Sequence, residues 1–355
     1  MSRKIPIALR VFCVSLLVIY LWKIKGPAEI VPRPEVDVDK LSLEEWQKND
    51  DLNLNKSKEW TSRSYSEYLR KAYETPNEKH VNPHNFKLLL DEPMACMDVE
   101  SGTLKRVVLL VLISTVHANS GRRQAIRETW GSLKELGGLP VVTLFLLART
   151  KHLGTNVQEE SAVHHDLLME DFKDTYKNLT LKTMMAMKWA STHCPQASFV
   201  MKTDDDMYVS YRNILDYISK SEIPKTDLAV GMKIAGEAPI RNTNSKWYMP
   251  KEVFPGDVYP PWLSGGGFVL SGDLPGQIYA VSLGTKLLHL EDVFVGVCLE
   301  KLKINLIMNR QFSNRGSTYS YCKFRHIITT HGVPYQDLKA IWNDQLVEKP
   351  CWFWT

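Results

Sequence analysis

The feature that most constrains the fold is a series of continuous apolar runs separated by segments with helical spacing. The runs are Val107 to Ile113, Val141 to Leu147 and Phe199 to Met201, and helices are predicted at Arg122 to Trp130 and around Leu181 to Trp189. Runs of this kind are typical of strands that are buried on both faces. Their alternation with helices predicts an α/β domain with a largely parallel sheet, in which ligands bind beyond the carboxyl ends of the strands.

The first segment of the chain is strongly apolar. From Ile5 to Trp22 the only charged residue is Arg10, and a helix of this length would measure roughly 27 Å, enough to cross a thin bilayer. A cleaved signal peptide is the alternative, but no small-residue cleavage site follows. We therefore predict a cytoplasmic tail at residues 1–4 and a transmembrane signal-anchor helix at residues 5–22.

Features after the anchor predict that the rest of the chain lies in the lumen of the secretory pathway. Asn55 and Asn178 each begin a glycosylation sequon. Five cysteines follow the anchor, and an oxidising compartment would let them pair. Their spacing does not determine the pairing, and an odd number leaves at least one that is free or pairs elsewhere. A luminal stem is predicted at residues 23–90 and a catalytic domain at residues 91–355.

Charge and motif content argue against several classes of function. The 44 basic and 40 acidic residues nearly balance, and no basic stripe of the kind that binds nucleic acid is visible. The chain also lacks the P-loop, H-E-x-x-H and G-x-S-x-G motifs. Nucleic-acid binding, P-loop NTPase, zincin and serine hydrolase functions are therefore disfavoured.

Three consecutive carboxylates follow the third predicted strand. Asp204, Asp205 and Asp206 repel one another unless water or a cation compensates. Mg²⁺ and Mn²⁺ prefer oxygen ligands and often share them with substrate phosphates. A solvated acidic turn is the simpler alternative, but the place at a strand's carboxyl end favours a metal and nucleotide site.

A second acidic pair stands where apolar residues resume at helical spacing. Glu291 and Asp292 would lie at a helix N-terminus, where acids also serve as caps or interact with the helix dipole. The functional interpretation is a general base held at a rigid helix start. The residues alone leave open which of the two acids would act.

Two further groups could contact an anionic ligand. Glycines let the backbone approach a ligand closely, or they form a tight turn. Arginines pair with phosphates, or they form a solvated helix face. These groups are Gly265, Gly266 and Gly267, and Arg122, Arg123 and Arg127.

Aromatic side chains cluster at two places before the glycines. Rings pack against the C–H faces of sugars, although aromatic residues of the core are commoner. The two segments are Lys246-Trp247-Tyr248 and Tyr259-Pro260-Pro261-Trp262. His331 follows an apolar pair, and a lone histidine is more often structural than a ligand.

Five segments together resemble the signatures of the β-1,3-galactosyltransferase family. They are Arg123 to Gly131, Asn178 to Thr183, Val200 to Asp206, Ser245 to Tyr248 and Glu291 to Gly296. Five signatures in the family's order are far more specific than any one of them. The wider family also contains β-1,3-N-acetylglucosaminyltransferases and N-acetylgalactosaminyltransferases.

The resemblance implies a GT-A domain, a Rossmann-like nucleotide-diphospho-sugar transferase fold, anchored in the Golgi membrane. It implies inverting transfer from a UDP-sugar, with UDP-galactose favoured, to a glycan acceptor on a glycoprotein or glycolipid. It places Mn²⁺, or Mg²⁺ as the alternative, at Asp204, Asp206 and His331. Asp292 matches the family's catalytic base, and Glu291 is the alternative.

The resemblance also sorts the remaining candidates by substrate. The donor-binding candidates are Arg122, Arg123, Arg127, Lys202, Asp205, Gly265, Gly266 and Gly267. The acceptor-binding candidates are Lys246, Trp247, Tyr248 and Trp262. Relatives usually carry Asp-Ser-Asp in place of the acid triplet, and a cysteine where this chain has Leu263. The second departure puts one family disulfide in doubt.

Two other classes of protein are alternatives. A metal-dependent phosphotransferase or phosphohydrolase also uses clustered aspartates, but it would transfer phosphate and not a sugar. A non-catalytic luminal carbohydrate-binding protein would not need the intact acids and His331. Transfer of N-acetylglucosamine or N-acetylgalactosamine stays an alternative, because a few pocket residues discriminate these donors. The sequence does not determine the oligomeric state.

Overall fold

The computed structural model describes residues 80–150 and 155–351. The predicted tail, the anchor helix, Asn55 and most of the stem lie outside these residues. None of the helices within the two described ranges is long and apolar enough to span a bilayer. Strand β1 (Leu88–Leu90) pairs with β5 (Leu167–Lys173), so the sheet already includes the last residues of the predicted stem.

A nine-stranded mixed sheet forms the centre of the domain. Its order is β1-β5-β4-β2-β6-β9-β8-β10, and β3 pairs with β4. The remaining strands of this sheet are β2 (Leu109–Ser114), β3 (Glu135–Leu136), β4 (Leu139–Arg149), β6 (Phe199–Asp204), β8 (Ala229–Ile234), β9 (Trp262–Ser271) and β10 (Leu306–Met308). Neighbours among β5, β4, β2 and β6 are parallel, as predicted, whereas β9 runs antiparallel to both β6 and β8.

The three apolar runs form the middle of this sheet. They correspond to β2, β4 and β6, and β2 is buried at every position because helices or loops cover both of its faces. The helices are α1 (Ser120–Arg127), α2 (Thr155–His164), α3 (Leu179–His193), α4 (Tyr211–Ile218), α5 (Leu274–Leu283), α6 (Glu291–Lys301), α7 (Tyr321–Phe324) and α8 (Leu338–Leu346). The first predicted helix ends at Arg127, and a 3-10 turn at Trp130–Ser132 follows.

A smaller sheet brings the C-terminal part of the chain to the end of β6. Its order is β11 (Phe312–Gly316), β12 (Thr329–His331) and β7 (Met207–Val209). β12 is antiparallel to β7, and His331 pairs with Met207. Because Met207 directly follows the acid triplet, this register carries His331 to the acids.

Two disulfides fasten segments that are distant in sequence. Cys96 is bonded to Cys194 at the end of α3, and Cys322 of α7 is bonded to Cys351. Cys298 is free and buried inside α6, where burial raises the pKa of its thiol to about 12. The expectation that one cysteine stays unpaired is confirmed.

Candidate active site

The acids at the end of β6 have separate environments. Asp204, the last residue of β6, accepts a hydrogen bond from Lys202 Nζ at 2.8 Å. Asp206 Oδ2 lies 3.1 Å from His331 Nε2, and both of these side chains are well exposed. The three carboxylates therefore face different partners.

Asp205 is the enclosed member of the triplet. Its Oδ2 accepts hydrogen bonds from Thr115 Oγ1 at 2.5 Å and from Asn119 Nδ2 at 2.9 Å. Both partners belong to the connection between β2 and α1, so the carboxylate fastens this connection to the end of β6. Asp205 was predicted to contact the UDP-sugar. Because its oxygens already accept hydrogen bonds from the protein, we assign it this structural role instead.

Asp206 and His331 lie together at the end of β6 and could hold a divalent cation. Asp204 is turned toward Lys202, and residues 80–150 and 155–351 contain no group of three or more His, Cys, Asp or Glu side chains placed around one ion. One carboxylate and one imidazole fit a cation that takes its remaining ligands from water and substrate phosphates. Asp204, the third residue of the predicted metal site, is paired with Lys202 in this structure.

The three arginines of α1 lie in different surroundings. Arg122 is about one-third exposed, and its Nη1 lies 3.4 Å from Asp205 Oδ1 and 4.0 Å from Asp206 Oδ2. Arg123 is fully buried and donates to both carboxylate oxygens of Glu160, at 2.7 and 2.6 Å. Arg127 also pairs with Glu160, at 2.7 Å. Arg122 faces the acids. The guanidinium groups of Arg123 and Arg127 are held in internal ion pairs, so their predicted contacts with the diphosphate are not supported.

Lys202 lies fully buried between β6 and α6. Its Nζ donates to Glu291 Oε1 at 2.5 Å, to Asp204 Oδ1 at 2.8 Å and to the Gly265 carbonyl at 2.9 Å. Burial acts to lower the pKa of Lys202, but the charges of the two carboxylates outweigh it and raise that pKa. All three ammonium hydrogens of Lys202 are used in hydrogen bonds within the protein. The predicted contact of Lys202 with the UDP-sugar is therefore not supported.

Glu291 and Asp292 begin α6, as predicted, and face different ways. The Glu291 side chain is 5% exposed and is paired with Lys202. Asp292 is partly exposed, with its Oδ1 2.8 Å from the Val293 amide and its Oδ2 3.4 Å from the Gly265 amide. Burial raises the pKa of both carboxyl groups. Of the two acids, Asp292 is the more exposed.

The three glycines lie inside β9, so the alternative that they form a tight turn is wrong. A Cβ at Gly265 would come within 2.6 Å of Glu291 Oε1. At Gly266 it would meet Met207 Cε at 3.1 Å, and Gly267 is crowded in the same way. Glycine is needed at these three positions because neighbouring protein atoms occupy the space of a side chain. This packing accounts for the glycines without a contact to the UDP-sugar.

The acceptor candidates differ in exposure: Lys246 and Trp247 are exposed, Tyr248 is half-buried and Trp262 is buried. Lys246, Trp247 and Tyr248 lie in the long connection between β8 and β9, and Trp247 is 48% exposed. Lys246 Nζ lies 4.5 Å from the centre of the Trp247 ring. Trp262 is 7% exposed and packs against α6, where a Cβ at Gly296 would come within 2.6 Å of it. We therefore revise Trp262 to a core residue.

Tyr176 lies beside Lys246 and Trp247 and was not singled out by the sequence. It lies in a 3-10 turn before α3, is 48% exposed and has Lys246 Nζ 6.0 Å from its ring centre. Burial raises the pKa of its hydroxyl, and the negative charge of Asp292 adds to this, while a hydrogen bond with the Trp247 side chain opposes it. The sequence feature that could have identified Tyr176 is its position two residues before the family signature that begins at Asn178.

The Asn178 sequon has a structural role of its own. Asn178 Nδ2 donates to the Lys173 carbonyl at 2.8 Å. Thr180 is fully buried, and its Oγ1 donates to the Leu288 carbonyl at 2.6 Å. The sequon threonine thus ties the start of α3 to the segment that leads into α6.

Known proteins match the chain in sequence over most of its length. A family model described as galactosyltransferase matches residues 121–310. β-1,3-Galactosyltransferase 1 of Homo sapiens is 43% identical over 273 residues, which cover 76% of this chain and 81% of that protein. The chain belongs to the galactosyltransferase family. β-1,3-Galactosyltransferase 2 of Mus musculus is 39% identical over 278 residues, covering 75% of this chain and 64% of that protein.

The resemblance to this family and the prediction of a glycosyltransferase are confirmed by these matches. The part of the galactosyltransferase that matches the family model includes the acid triplet, β9 and the start of α6, and ends before His331. Among solved structures, the WbbM bifunctional glycosyltransferase gives a TM-score of 0.38 at 10% identity, over 69% of this chain and 52% of that one.

Proposed function

We propose that this galactosyltransferase transfers galactose from UDP-galactose to the 3-hydroxyl of a terminal N-acetylhexosamine on a glycoprotein or glycolipid. The names of its relatives, β-1,3-galactosyltransferase 1 and 2, support the sugar and the linkage. The mixed α/β sheet, with acids at the carboxyl end of β6, supports a GT-A type of nucleotide-sugar fold.

The observation that carries the mechanism is the different placement of the two acids at the start of α6. Glu291 is enclosed and neutralises Lys202, so it is unsuited to accept a proton from a substrate. Asp292 is partly exposed on a rigid helix start. We assign Asp292 as the general base, which takes the proton of the acceptor hydroxyl as that hydroxyl attacks the sugar.

One base and one displacement account for inversion. The acceptor oxygen attacks the face of the sugar opposite the departing UDP, so an α-linked donor gives a β-linked product, by the logic of inverting glycosidases. Asp292 holds the proton at one carboxylate oxygen. Its hydrogen bonds to the backbone amides of Val293 and Gly265 keep that carboxylate in place during the reaction.

The end of the site at β6 would bind the diphosphate of the UDP-sugar. Mn²⁺, or Mg²⁺ as the alternative, would neutralise the charge that develops on the departing UDP. Asp206 would supply a charged oxygen ligand and His331 a neutral ring nitrogen. Arg122 lies on the same side, with its Nη1 3.4 Å from Asp205 Oδ1 and 4.0 Å from Asp206 Oδ2. Its partly exposed guanidinium group would contact a phosphate oxygen of the bound donor.

The location of the protein is part of the proposal. The two disulfides support an oxidising compartment, and the apolar segment at residues 5–22 supports a single-pass membrane protein with a cytosolic N-terminus. We place the catalytic domain in the Golgi lumen, with glycans at Asn55 and Asn178.

Product analysis tests the proposed reaction. The purified chain is incubated with Mn²⁺, one UDP-sugar and a terminal N-acetylglucosaminide, and UDP release and the glycosidic linkage are measured. We expect UDP release that requires the acceptor, with a β-1,3-linked galactose in the product. Transfer from UDP-N-acetylglucosamine but not from UDP-galactose would refute the donor assignment, and release of inorganic phosphate would refute the reaction class.

A further inference from the structure

Two exposed aromatic rings and one lysine form a compact cluster, here called the aromatic platform (Tyr176, Lys246 and Trp247). The rings come from different parts of the chain: Tyr176 precedes α3, and Trp247 lies in the connection between β8 and β9. Lys246 Nζ lies 4.5 Å from the Trp247 ring centre and 6.0 Å from the Tyr176 ring centre. Both rings are 48% exposed, so the platform presents ring surface and a cationic donor to solvent.

The platform is fixed in relation to the start of α6. Thr180 Oγ1, four residues after Tyr176, donates to the Leu288 carbonyl, four residues before Asp292. The same two segments also meet at His289, whose pKa is lowered by burial and by the positive charge of Lys177. The turn that carries Tyr176 is therefore packed beside the segment that carries Asp292.

Electrostatic contacts agree with this placement. The negative charges of Asp292, Glu291 and Asp204 all act to raise the pKa of the Tyr176 hydroxyl, after the larger effect of burial. Tyr176 thus lies within the electrostatic field of the base and of the end of β6.

We propose that Tyr176 contacts the acceptor sugar directly and, together with Trp247, forms the surface on which its C–H face packs. The proposal rests on the proposed function, because it takes Asp292 as the base that the acceptor hydroxyl must reach. Rings bind the apolar face of a hexose, and the Lys246 ammonium can donate to the hydroxyl groups at its edge. A platform beside the base would orient the acceptor hydroxyl for attack.

The test compares Tyr176→Ala and Tyr176→Phe with the unaltered full-length chain in detergent. Acceptor KM, donor KM and kcat are measured with UDP-galactose and p-nitrophenyl N-acetyl-β-glucosaminide. Tyr321→Ala is the matched control, because Tyr321 also has a lysine over its ring, with Lys349 Nζ at 5.3 Å, among residues of the C-terminal segment. Thermal melting checks that each variant is folded.

For Tyr176→Ala we expect the acceptor KM to rise about tenfold, with donor KM within twofold of the unaltered chain. Tyr176→Phe keeps the ring and should stay within about threefold of normal. An acceptor KM for Tyr176→Ala that matches the Tyr321→Ala control would overturn the proposal.

Direct binding separates this inference from the proposed function. Titration of the same saccharide into the chain with UDP and Mn²⁺ measures acceptor affinity without turnover. Weaker binding in Tyr176→Ala supports the platform even if the chain proves not to transfer galactose. Unchanged binding refutes the platform even if galactose transfer is confirmed.

Discussion

Lys202 Nζ lies 2.5 Å from Glu291 Oε1, and this buried ion pair joins the end of β6 to the start of α6. The proposed metal ligand Asp206 follows β6, and the proposed base Asp292 follows Glu291 directly. The pair thus couples the two ends of the site mechanically.

Loss of Lys202 should destabilise the fold. Lys202→Met leaves Glu291 buried without its countercharge, and breaking a buried pair in this way costs about 3–5 kcal/mol. Denaturant unfolding measures the change. Lys339→Met is the control, because the ion pair of Lys339 with Glu128 is exposed, so its loss should barely change the unfolding midpoint. Equal midpoints for the two variants would contradict the structural role of Lys202.

Asp292→Asn should lower kcat about a hundredfold to ten-thousandfold, the usual range for a positioned general base. UDP binding should survive, because the Asp206 and His331 side chains are unchanged. Asn caps a helix about as well as Asp. Near-normal turnover in this variant would therefore remove Asp292 from the mechanism and leave it a helix cap.

The pH dependence of the rate should report the environment of Asp292. Burial raises its pKa from the usual 3.8, and a general base works in its ionised form. Activity should therefore fall as the pH drops through that raised pKa, so the acid limb of kcat/KM should lie above pH 3.8. UDP affinity measured over the same range separates loss of the base from loss of donor binding. A rate that stays flat down to pH 3.8 would exclude Asp292 as the base.

Adjacent acids of the triplet should respond differently to substitution. Asp206→Asn removes a charged ligand, so Mn²⁺-dependent UDP binding should weaken sharply, while melting without metal rises or stays level because a repulsive cluster loses one charge. Asp205→Asn should lower the melting temperature, because Asp205 holds Thr115 and Asn119. Calorimetric titration of Mn²⁺ and UDP measures the binding. Unaltered binding in Asp206→Asn would refute its role as a ligand.

Neighbouring arginines of α1 provide a second matched pair. Arg122→Met should weaken UDP binding about tenfold, the effect of one charge-assisted hydrogen bond. Arg123→Met removes the buried ion-pair partner of Glu160, so it should lower the free energy of unfolding by about 3–5 kcal/mol. Folded Arg123→Met protein should bind UDP normally. The opposite pattern would mean that Arg123, and not Arg122, contacts the donor.

Local patterns in the sequence determined the elements that frame the site. Continuous apolar runs predicted β2, β4 and β6, because a strand covered on both faces has no polar side to display. The acid triplet was placed at a strand end, and the resumption of helical spacing after Leu290 predicted the start of α6. Each of these predictions depends on residues that are neighbours in the chain.

Tertiary structure decided what each side chain faces. His331 reaches Asp206 through the pairing of β12 with β7. Arg123 pairs with Glu160, whereas Arg122 faces the acids. Glu291 pairs with Lys202, whereas Asp292 stays partly exposed. Adjacent residues of the same type look alike in a sequence. Which of them is buried, paired or free depends on packing between segments that lie far apart in the chain, and that packing is set when the whole domain folds.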